Sequence, residues 1–191
     1  MSERVEPVVM NVLSMEFGIL EPQLEAHARD MYEVLCDPAV YEFEGAPPPS
    51  VEALAAGFRR KETRRSPDGT QLWLNWVVRL SGGELAGYVQ ATVCRGDYSY
   101  IGYELASRFW RRGIATASLH AMADELAARY GVRLLVAVLK SANYRSRGLL
   151  TKLGFMQASP EEAALFECDS DEVVMMATPS RLRDRRSASA A

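Results

Sequence analysis

The amino-acid sequence predicts an α/β fold: one domain with a mixed central sheet of about six to seven strands, flanked by about four helices. One observation is a series of three strand-like segments, residues 71–80, 84–94 and 98–105, which are joined by short Gly-containing turns. Such turns make neighbouring strands antiparallel. A second observation is a strand–helix–strand pattern across residues 101–139, and a helical crossover of this kind makes its two strands parallel. The sheet is therefore expected to be mixed.

Two helices are expected before these three strands. In the first, apolar side chains recur at helical spacing and predict a buried stripe of Leu24, Ala28, Met31 and Leu35. Ser50 is placed to cap the second helix, after a loop that contains four prolines. We interpret the basic run Arg59-Arg60-Lys61 at the end of that helix as favourable to the helix dipole. In order, the predicted elements are an additional strand near residues 8–13, a strand at 15–20, a helix at 23–36, a loop at 37–50 and a helix at 51–64.

After the three strands, the apolar spacing predicts a long helix that begins at Gly113. The next strand is continuously apolar, as expected of a strand covered on both faces. The predicted elements are a helix at 113–129, a strand at 134–139, a helix at 143–153 and strands at 155–157 and 172–177. The domain is thus expected to span residues 15–177, after an N-terminal extension at 1–14. The Arg-, Ser- and Ala-rich tail at 178–191 is expected to be disordered.

Composition excludes several classes of function. The net charge of -3 gives no support for nucleic-acid binding, which leaves a basic footprint. No apolar run approaches the roughly 20 residues of a membrane span, and the acidic N-terminus lacks the apolar core of a signal peptide. Cys36, Cys94 and Cys168 are odd in number and show no metal-ligand spacing. We interpret them as reduced thiols of a cytoplasmic protein without a metal site.

The stretch IGYELASRFWRRGIAT, residues 101–116, is typical of a binding site for an anion. Apolar Ile101 and Leu105 belong to a strand that also carries the acidic Glu104. A short loop then leads into a helix at Gly113. The first N–H groups of a helix have no partner within it, and they attract negative groups such as phosphate. Because glycine has no side chain, a phosphate can approach the backbone closely at Gly113.

Two motifs in the sequence resemble those of the GNAT superfamily of acetyl-CoA-dependent N-acetyltransferases. The first is the turn Trp110-Arg-Arg-Gly-Ile-Ala, which is similar to the superfamily's pyrophosphate-binding turn. The second is a spaced pattern whose matching residues are Asn143, Ser146, Leu150, Gly154 and Phe155. The chain is most similar to the branch of ribosomal-protein alanine N-acetyltransferases (Rim type), over roughly residues 15–177.

The resemblance implies a GNAT-type sheet in which two parallel strands splay apart and hold the pantetheine arm of acetyl-CoA. The arm would pair with the backbone near Tyr103 to Leu105, and Asn143 would bind it or order its loop. The pyrophosphate would bind at the helix start, through the residues Arg111, Arg112, Gly113, Ile114, Ala115 and Thr116. The alternative for the side chains of Arg111 and Arg112 is that of solvated arginines at a surface turn. Asn143 is also expected to cap the helix that follows it, and the two roles are compatible.

The chemistry implied is direct attack of a neutral amine on the thioester. The amine, with a pKa of about 8 to 10, must lose a proton, so a carboxylate or a water chain is needed. Glu104 is the first candidate base, and a solvated strand carboxylate is its alternative role. Glu161, Glu162 and Glu167 are the second candidates. Where many members of the superfamily place a tyrosine acid, this chain has Leu150; in the branch that it resembles a serine has this role, and the matching residue is Ser146. The alternative role of Ser146 is that of a helix-start serine bonded to the backbone.

Three functions remain open from the sequence. The first is an N-acetyltransferase that acts on a protein N-terminus or a similar primary amine, as a monomer or homodimer. The second is an acetyltransferase for a small amine, such as a polyamine or an aminoglycoside-like drug. The third is a non-catalytic acyl-CoA-binding module. The acceptor is expected to bind between residues 37–50 and 158–171, the segments least similar to the superfamily.

Overall fold

A computed structural model describes residues 8–189 of the chain. Short 3-10 turns at Glu25–His27, Pro38–Tyr41 and Ser107–Phe109 precede or connect the regular elements. The helices and strands are, in order, β1 (Leu13–Met15), β2 (Gly18–Pro22), α1 (Ala28–Leu35), α2 (Val51–Lys61), β3 (Leu72–Leu80), β4 (Leu85–Val93), β5 (Tyr98–Leu105), α3 (Ile114–Tyr130), β6 (Leu134–Lys140), α4 (Tyr144–Leu153), β7 (Met156–Gln157), α5 (Pro160–Ala163), β8 (Glu172–Ala177) and α6 (Pro179–Ser189).

Within residues 8–189, the eight strands form one mixed sheet in the order β1-β2-β3-β4-β5-β6-β8-β7. All neighbouring strands are antiparallel except β5 and β6, which helix α3 connects. The predicted α/β class and mixed sheet are confirmed, with one strand more than expected. The core lies between the sheet and its helices, and Trp76, Met122, Leu126, Leu135 and Leu150 are among its fully buried members.

The first strand was predicted wrongly. Residues 15–20 form no single strand, because Glu16 and Phe17 make the turn of a hairpin between β1 and β2. β1 begins at Leu13, inside the predicted extension, and the additional strand expected near residues 8–13 is absent from the described residues. Instead, Asn11 accepts a hydrogen bond from Trp76 Nε1 at 3.0 Å and donates to Glu125 Oε1 at 3.0 Å. These polar contacts hold the extension against β3 and α3.

The first helix is also shorter than predicted. Leu24 is 44% exposed, because it precedes the 3-10 turn and lies outside α1. The other members of the predicted stripe, Ala28, Met31 and Leu35, are buried as expected. The stripe therefore correctly identified the buried face and placed the helix start about one turn too early.

The disordered tail is a wrong prediction as well, because Pro179–Ser189 forms helix α6. Its composition is strongly polar, but Leu182 is only 1% exposed and belongs to the main core. On the outer side, Arg183 and Arg186 pair with Asp124 of α3 at 3.4 and 3.0 Å. The buried Leu182 and these ion pairs dock helix α6 on α3 and α4. The composition of the segment does not reveal such contacts.

Candidate active site

Strands β5 and β6 separate after a short paired stretch, and this leaves a gap in the sheet. The pairing runs from Tyr98↔Leu134 to Tyr100↔Val136 and then stops, although β5 continues to Leu105 and β6 to Lys140. A splayed pair of parallel strands was expected from the resemblance, and the register is consistent with it.

Backbone groups of β5 point into this gap. The N–H of Ala106 donates to the carbonyl oxygen of Ala86 in β4, and the N–H of Cys94 donates to the carbonyl oxygen of Tyr98. The even-numbered residues of β5 therefore form the hydrogen-bonded pairs with β4. In an antiparallel pair, the alternate residues direct their N–H and C=O away from the partner strand, so the odd-numbered residues of β5 direct these groups toward β6. Tyr103 and Leu105 therefore offer backbone groups to the gap, beyond the last residue that pairs with β6. An extended arm such as pantetheine can pair with them.

One of these groups is already occupied. The indole Nε1 of Trp110 donates to the carbonyl oxygen of Leu105 at 2.7 Å. The contribution of Leu105 to a ligand is thus restricted to its N–H, and the turn before α3 is tied to the end of β5. The expected role of Leu105 is compatible with this geometry, and the bridging role of Trp110 was not predicted.

The predicted pyrophosphate turn forms the start of α3. Gly113 is the N-cap with φ 81°, Arg111 also has a left-handed φ of 58°, and the first backbone bond of the helix runs from Ala117 N–H to the Gly113 carbonyl. The N–H groups of Ile114, Ala115 and Thr116 precede that bond, and no side chain among the described residues caps this end. The turn is thus a set of unpaired donors at the positive end of a 17-residue helix, suited to a diphosphate.

The two arginines of the turn are exposed at its surface. The guanidinium of Arg112 lies 5.8 Å from the centre of the Phe109 ring, and Arg108 lies over the same ring at 4.6 Å. Their placement allows contact with a phosphate beside Gly113, as the sequence suggested, but nothing within residues 8–189 buries them or holds them at that position. The backbone of the turn is the better-defined part of this site.

Asn143 and Ser146 lie at the start of α4, facing the gap from β6's side. Asn143 is the N-cap, and its Oδ1 accepts from Ser146 N–H at 3.0 Å, so the expected capping role is present. The amide Nδ2 of Asn143 remains a donor for a ligand. The Ser146 hydroxyl does not bond to helix backbone. It lies 2.5 Å from the phenol oxygen of Tyr103 on β5.

Glu104 faces the opposite side of the sheet from Tyr103, directly across from Tyr88 on β4. Gly87 makes this arrangement possible, because a Cβ at that residue would lie 2.0 Å from the Glu104 carbonyl oxygen. Burial raises the pKa of the Glu104 carboxyl above its usual range, Glu44 adds to the rise, and the hydroxyl of Tyr88 and the ammonium of Lys61 oppose it. A half-buried carboxylate with a raised pKa is a stronger proton acceptor than an exposed carboxylate.

The alternative carboxylates have a different environment. Glu161, Glu162 and Glu167 are all exposed. Glu162 closes a capping box of α5, in which its Oε2 accepts from Ser159 N–H at 2.8 Å. Glu161 has a pKa lowered by its own backbone N–H and by Ser159. Of the four predicted candidates, Glu104 alone combines burial with a neighbouring phenol and ammonium.

Lys61 and Tyr88 were missed in the sequence. Lys61 was grouped with Arg59 and Arg60 as a cationic helix end, yet burial lowers its pKa, and Glu104 is its main opposing charge. Arg59 differs, since it forms an exposed ion pair with Glu25. The register of the β4–β5 hairpin could have located Tyr88. No sequence signal distinguished Lys61 from its basic neighbours.

The loop at 37–50 is fastened over this end of the sheet. Asp37 accepts from Ser107 N–H at 2.6 Å and from Ala39 N–H at 3.0 Å, and these bonds help to lower the pKa of its carboxyl against the effect of burial. Further along, Arg145 of α4 pairs with Glu42 at 2.5 Å and stacks over Trp110 at 4.8 Å. The loop thereby contacts both the 3-10 turn Ser107–Phe109 and the start of α4.

Comparison with protein families identifies the domain. The model of the acetyltransferase (GNAT) domain matches residues 19–156, which contain both motifs and the splayed strands. No curated protein matches the chain. Within the described residues, no helix combines the length and the apolar character that crossing a membrane requires.

Solved structures show the same fold at low sequence identity. RimL, a ribosomal L7/L12 alpha-N-protein acetyltransferase in complex with coenzyme A, is 18% identical with a TM-score of 0.73 over 88% of this chain and 98% of that chain. RimJ of Mycobacterium smegmatis, in complex with CoA-disulfide, is 21% identical with a TM-score of 0.70 over 96% and 95%. FdhC, a nucleotide-linked sugar GNAT, is 13% identical with a TM-score of 0.75 over 95% and 98%. With a family model that matches most of its length, the chain belongs to the GNAT family of acetyl-CoA-dependent N-acetyltransferases.

Proposed function

We propose that this enzyme transfers the acetyl group of acetyl-CoA to a primary amine at a protein N-terminus, in the manner of the Rim-type branch. The observation that carries the proposal is the position of Glu104. It follows Tyr103, whose backbone faces the gap. The Glu104 side chain is half-buried on the face of the sheet opposite to that of Tyr103, close enough to the loop at 37–50 for the charge of Glu44 to act on it. An amine on that face can approach a thioester in the gap while its proton is within reach of a carboxylate.

In this proposal Glu104 is the base. The amine nitrogen attacks the carbonyl carbon of the thioester, and its proton passes to the Glu104 carboxylate, directly or through a water. Tyr88 and Lys61 favour the ionised form of Glu104 and so keep it able to accept that proton. A backbone N–H of β5 polarises the thioester carbonyl as negative charge develops on its oxygen.

The intermediate then collapses, and the carbon–sulfur bond breaks with its electron pair on sulfur. Ser146 faces the gap from α4, one helical turn before Leu150, which is fully buried and carries no proton to donate. We assign to the Ser146 hydroxyl the hydrogen bond that stabilises the departing thiolate. The residues 111–116 and Asn143 hold the rest of the coenzyme at the helix starts of α3 and α4.

The likeness to RimL, an alpha-N-protein acetyltransferase, supports a protein N-terminus as the acceptor, with the loop at 37–50 and residues 158–171 as the walls of its site. The three cysteines are free thiols, which is in keeping with a protein of the cytoplasm. The test is a panel of peptides with free N-termini and of small amines, each assayed for acetyl transfer by mass spectrometry. N-terminally blocked copies of the same peptides are the control. Faster transfer to a polyamine or an aminoglycoside-like amine than to every peptide would refute the acceptor class.

A further inference from the structure

The side chain of Tyr103 joins the two elements that border the gap. It leaves β5 on the face toward α4, and its phenol oxygen lies 2.5 Å from Ser146 Oγ and 3.5 Å from the Ser146 carbonyl oxygen. The ring packs against the main core, where it is only partly exposed. A short contact between two hydroxyls that belong to distant segments of the chain fixes both side chains relative to the gap.

The donor in this contact can be assigned from acidity. A phenol is a far stronger acid than an alkyl hydroxyl, and the stronger acid is the better donor. Burial raises the pKa of Tyr103 to about 12, so its proton stays on the phenol at neutral pH. We therefore take the Tyr103 hydroxyl as the donor and Ser146 Oγ as the acceptor, which leaves the hydrogen of Ser146 available to a second acceptor. Asn143 already fixes the backbone N–H of the same residue at 3.0 Å.

We propose that Tyr103 is a positioning residue for the leaving group: it donates a hydrogen bond to Ser146 Oγ and thereby directs and polarises the Ser146 hydroxyl toward the sulfur of coenzyme A. This inference rests on the proposed role of Ser146. A chain of two hydroxyls strengthens the terminal donor, because each hydrogen bond polarises the next. The serine then acts on the thiolate as a better donor than an isolated serine does.

The proton balance is simple in this arrangement. When the carbon–sulfur bond breaks, sulfur retains the electron pair and receives a hydrogen bond from Ser146, while both hydroxyls keep their protons. Full transfer from Tyr103 is unfavourable, since the buried phenol is a weaker acid than a thiol, whose pKa is about 8.5. The thiolate takes its proton from water once the coenzyme departs.

A double-mutant cycle tests the coupling. The rate constant of acetyl transfer is measured under single-turnover conditions for the wild-type enzyme, for Tyr103→Phe, for Ser146→Ala and for the double variant. Losing one hydrogen bond near the reacting sulfur should lower the rate of Tyr103→Phe by about tenfold, with little change in the KM for acetyl-CoA. In the Ser146→Ala background, Tyr103→Phe should cost nothing further. Equal losses in both backgrounds would show that Tyr103 supports the fold only, and would overturn the proposal.

A second measurement needs no acceptor amine. The ionisation of the thiol in bound coenzyme A is followed by the ultraviolet absorbance of the thiolate as a function of pH. Donation through Ser146 should make the bound thiol about tenfold more acidic in the wild-type protein than in Tyr103→Phe or in Ser146→Ala. Identical titrations in all three proteins would overturn the proposal. A protein that shows this difference but acetylates no amine retains the Tyr103–Ser146 pair and refutes only the proposed function.

Tyr130→Phe is the matched control for both experiments. Its phenol oxygen is also buried, at the far end of α3, and it has no hydrogen-bond partner among the described residues. Removal of that hydroxyl should change neither the rate nor the thiol titration. A similar loss in Tyr130→Phe would mean that the effect of Tyr103→Phe reports general destabilisation, and this too would overturn the proposal.

Discussion

Gly113→Ala tests whether the start of α3 holds the pyrophosphate. Gly113 has φ 81°, and a Cβ there would lie 3.2 Å from the Phe17 ring. The left-handed conformation costs an L-residue with a Cβ about 1–2 kcal/mol, and Phe17 must move by a few tenths of an ångström. The same Cβ lies beside the unpaired N–H groups of Ile114 and Ala115, where it keeps a phosphate from the backbone.

Gly131→Ala provides a matched control on the same helix. Gly131 is the C-cap of α3 with φ 68°, and a Cβ there would meet nothing within 4 Å. Both variants should therefore lose about 1–2 kcal/mol of stability, or roughly 2–8 °C in Tm for a chain of this size. Only Gly113→Ala should also lose affinity for acetyl-CoA, by about tenfold or 1.4 kcal/mol, as measured by isothermal titration calorimetry.

Two results would refute this reasoning. Unchanged acetyl-CoA affinity in a folded Gly113→Ala protein would remove the pyrophosphate from this turn. Equal losses of affinity in Gly113→Ala and Gly131→Ala would mean that general destabilisation, and not contact with the ligand, weakens binding.

The remaining predictions concern the base and the C-terminal helix. Glu104→Gln should lower kcat by about 10² or more and leave acetyl-CoA binding nearly unchanged, and the loss should shrink at high pH, where more of the amine is neutral. Lys61→Met removes a charge that lowers the pKa of Glu104, so the acid limb of a kcat/KM profile should move to higher pH; a limb at the wild-type pH would exclude Lys61 as a partner of the base. Leu182→Ala should cost about 2–5 kcal/mol in urea unfolding, whereas a disordered tail would lose nothing.

The sequence was sufficient for the elements with strong periodicity. Strands β5 and β8 and the caps of α4 were predicted at or within one residue of their positions, because alternation, an N-cap Asn143 and a terminal Gly154 all have local causes. The hairpin at Glu16-Phe17 and helix α6 were missed for a common reason. Each depends on tertiary contacts, and Leu182 is a single apolar residue in a polar segment.

The candidate site divides in the same way. Gly113, Asn143 and Ser146 belong to motifs that each lie within one short stretch of the chain, so the resemblance could propose them, and Glu104 was proposed as the acidic residue of an otherwise apolar strand. The interactions that modify these residues join distant segments of the chain. Tyr103 contacts the Ser146 hydroxyl, and the charge of Lys61 acts to lower the pKa of Glu104. No spacing along one segment contains that information, since it is set by the register of β4 and β5 and by the docking of α2 and α4.

The most direct test of the central claim is acetyl transfer by the wild-type enzyme and by Glu104→Gln to one peptide with a free N-terminus, with acetyl-CoA binding measured on the same samples. Both proteins should bind acetyl-CoA with similar affinity, the wild-type enzyme should add one acetyl group to the N-terminal amine, and the variant should do so about 10² times more slowly. Binding of acetyl-CoA without transfer to any amine by the wild-type protein would contradict the proposed acetyltransferase activity.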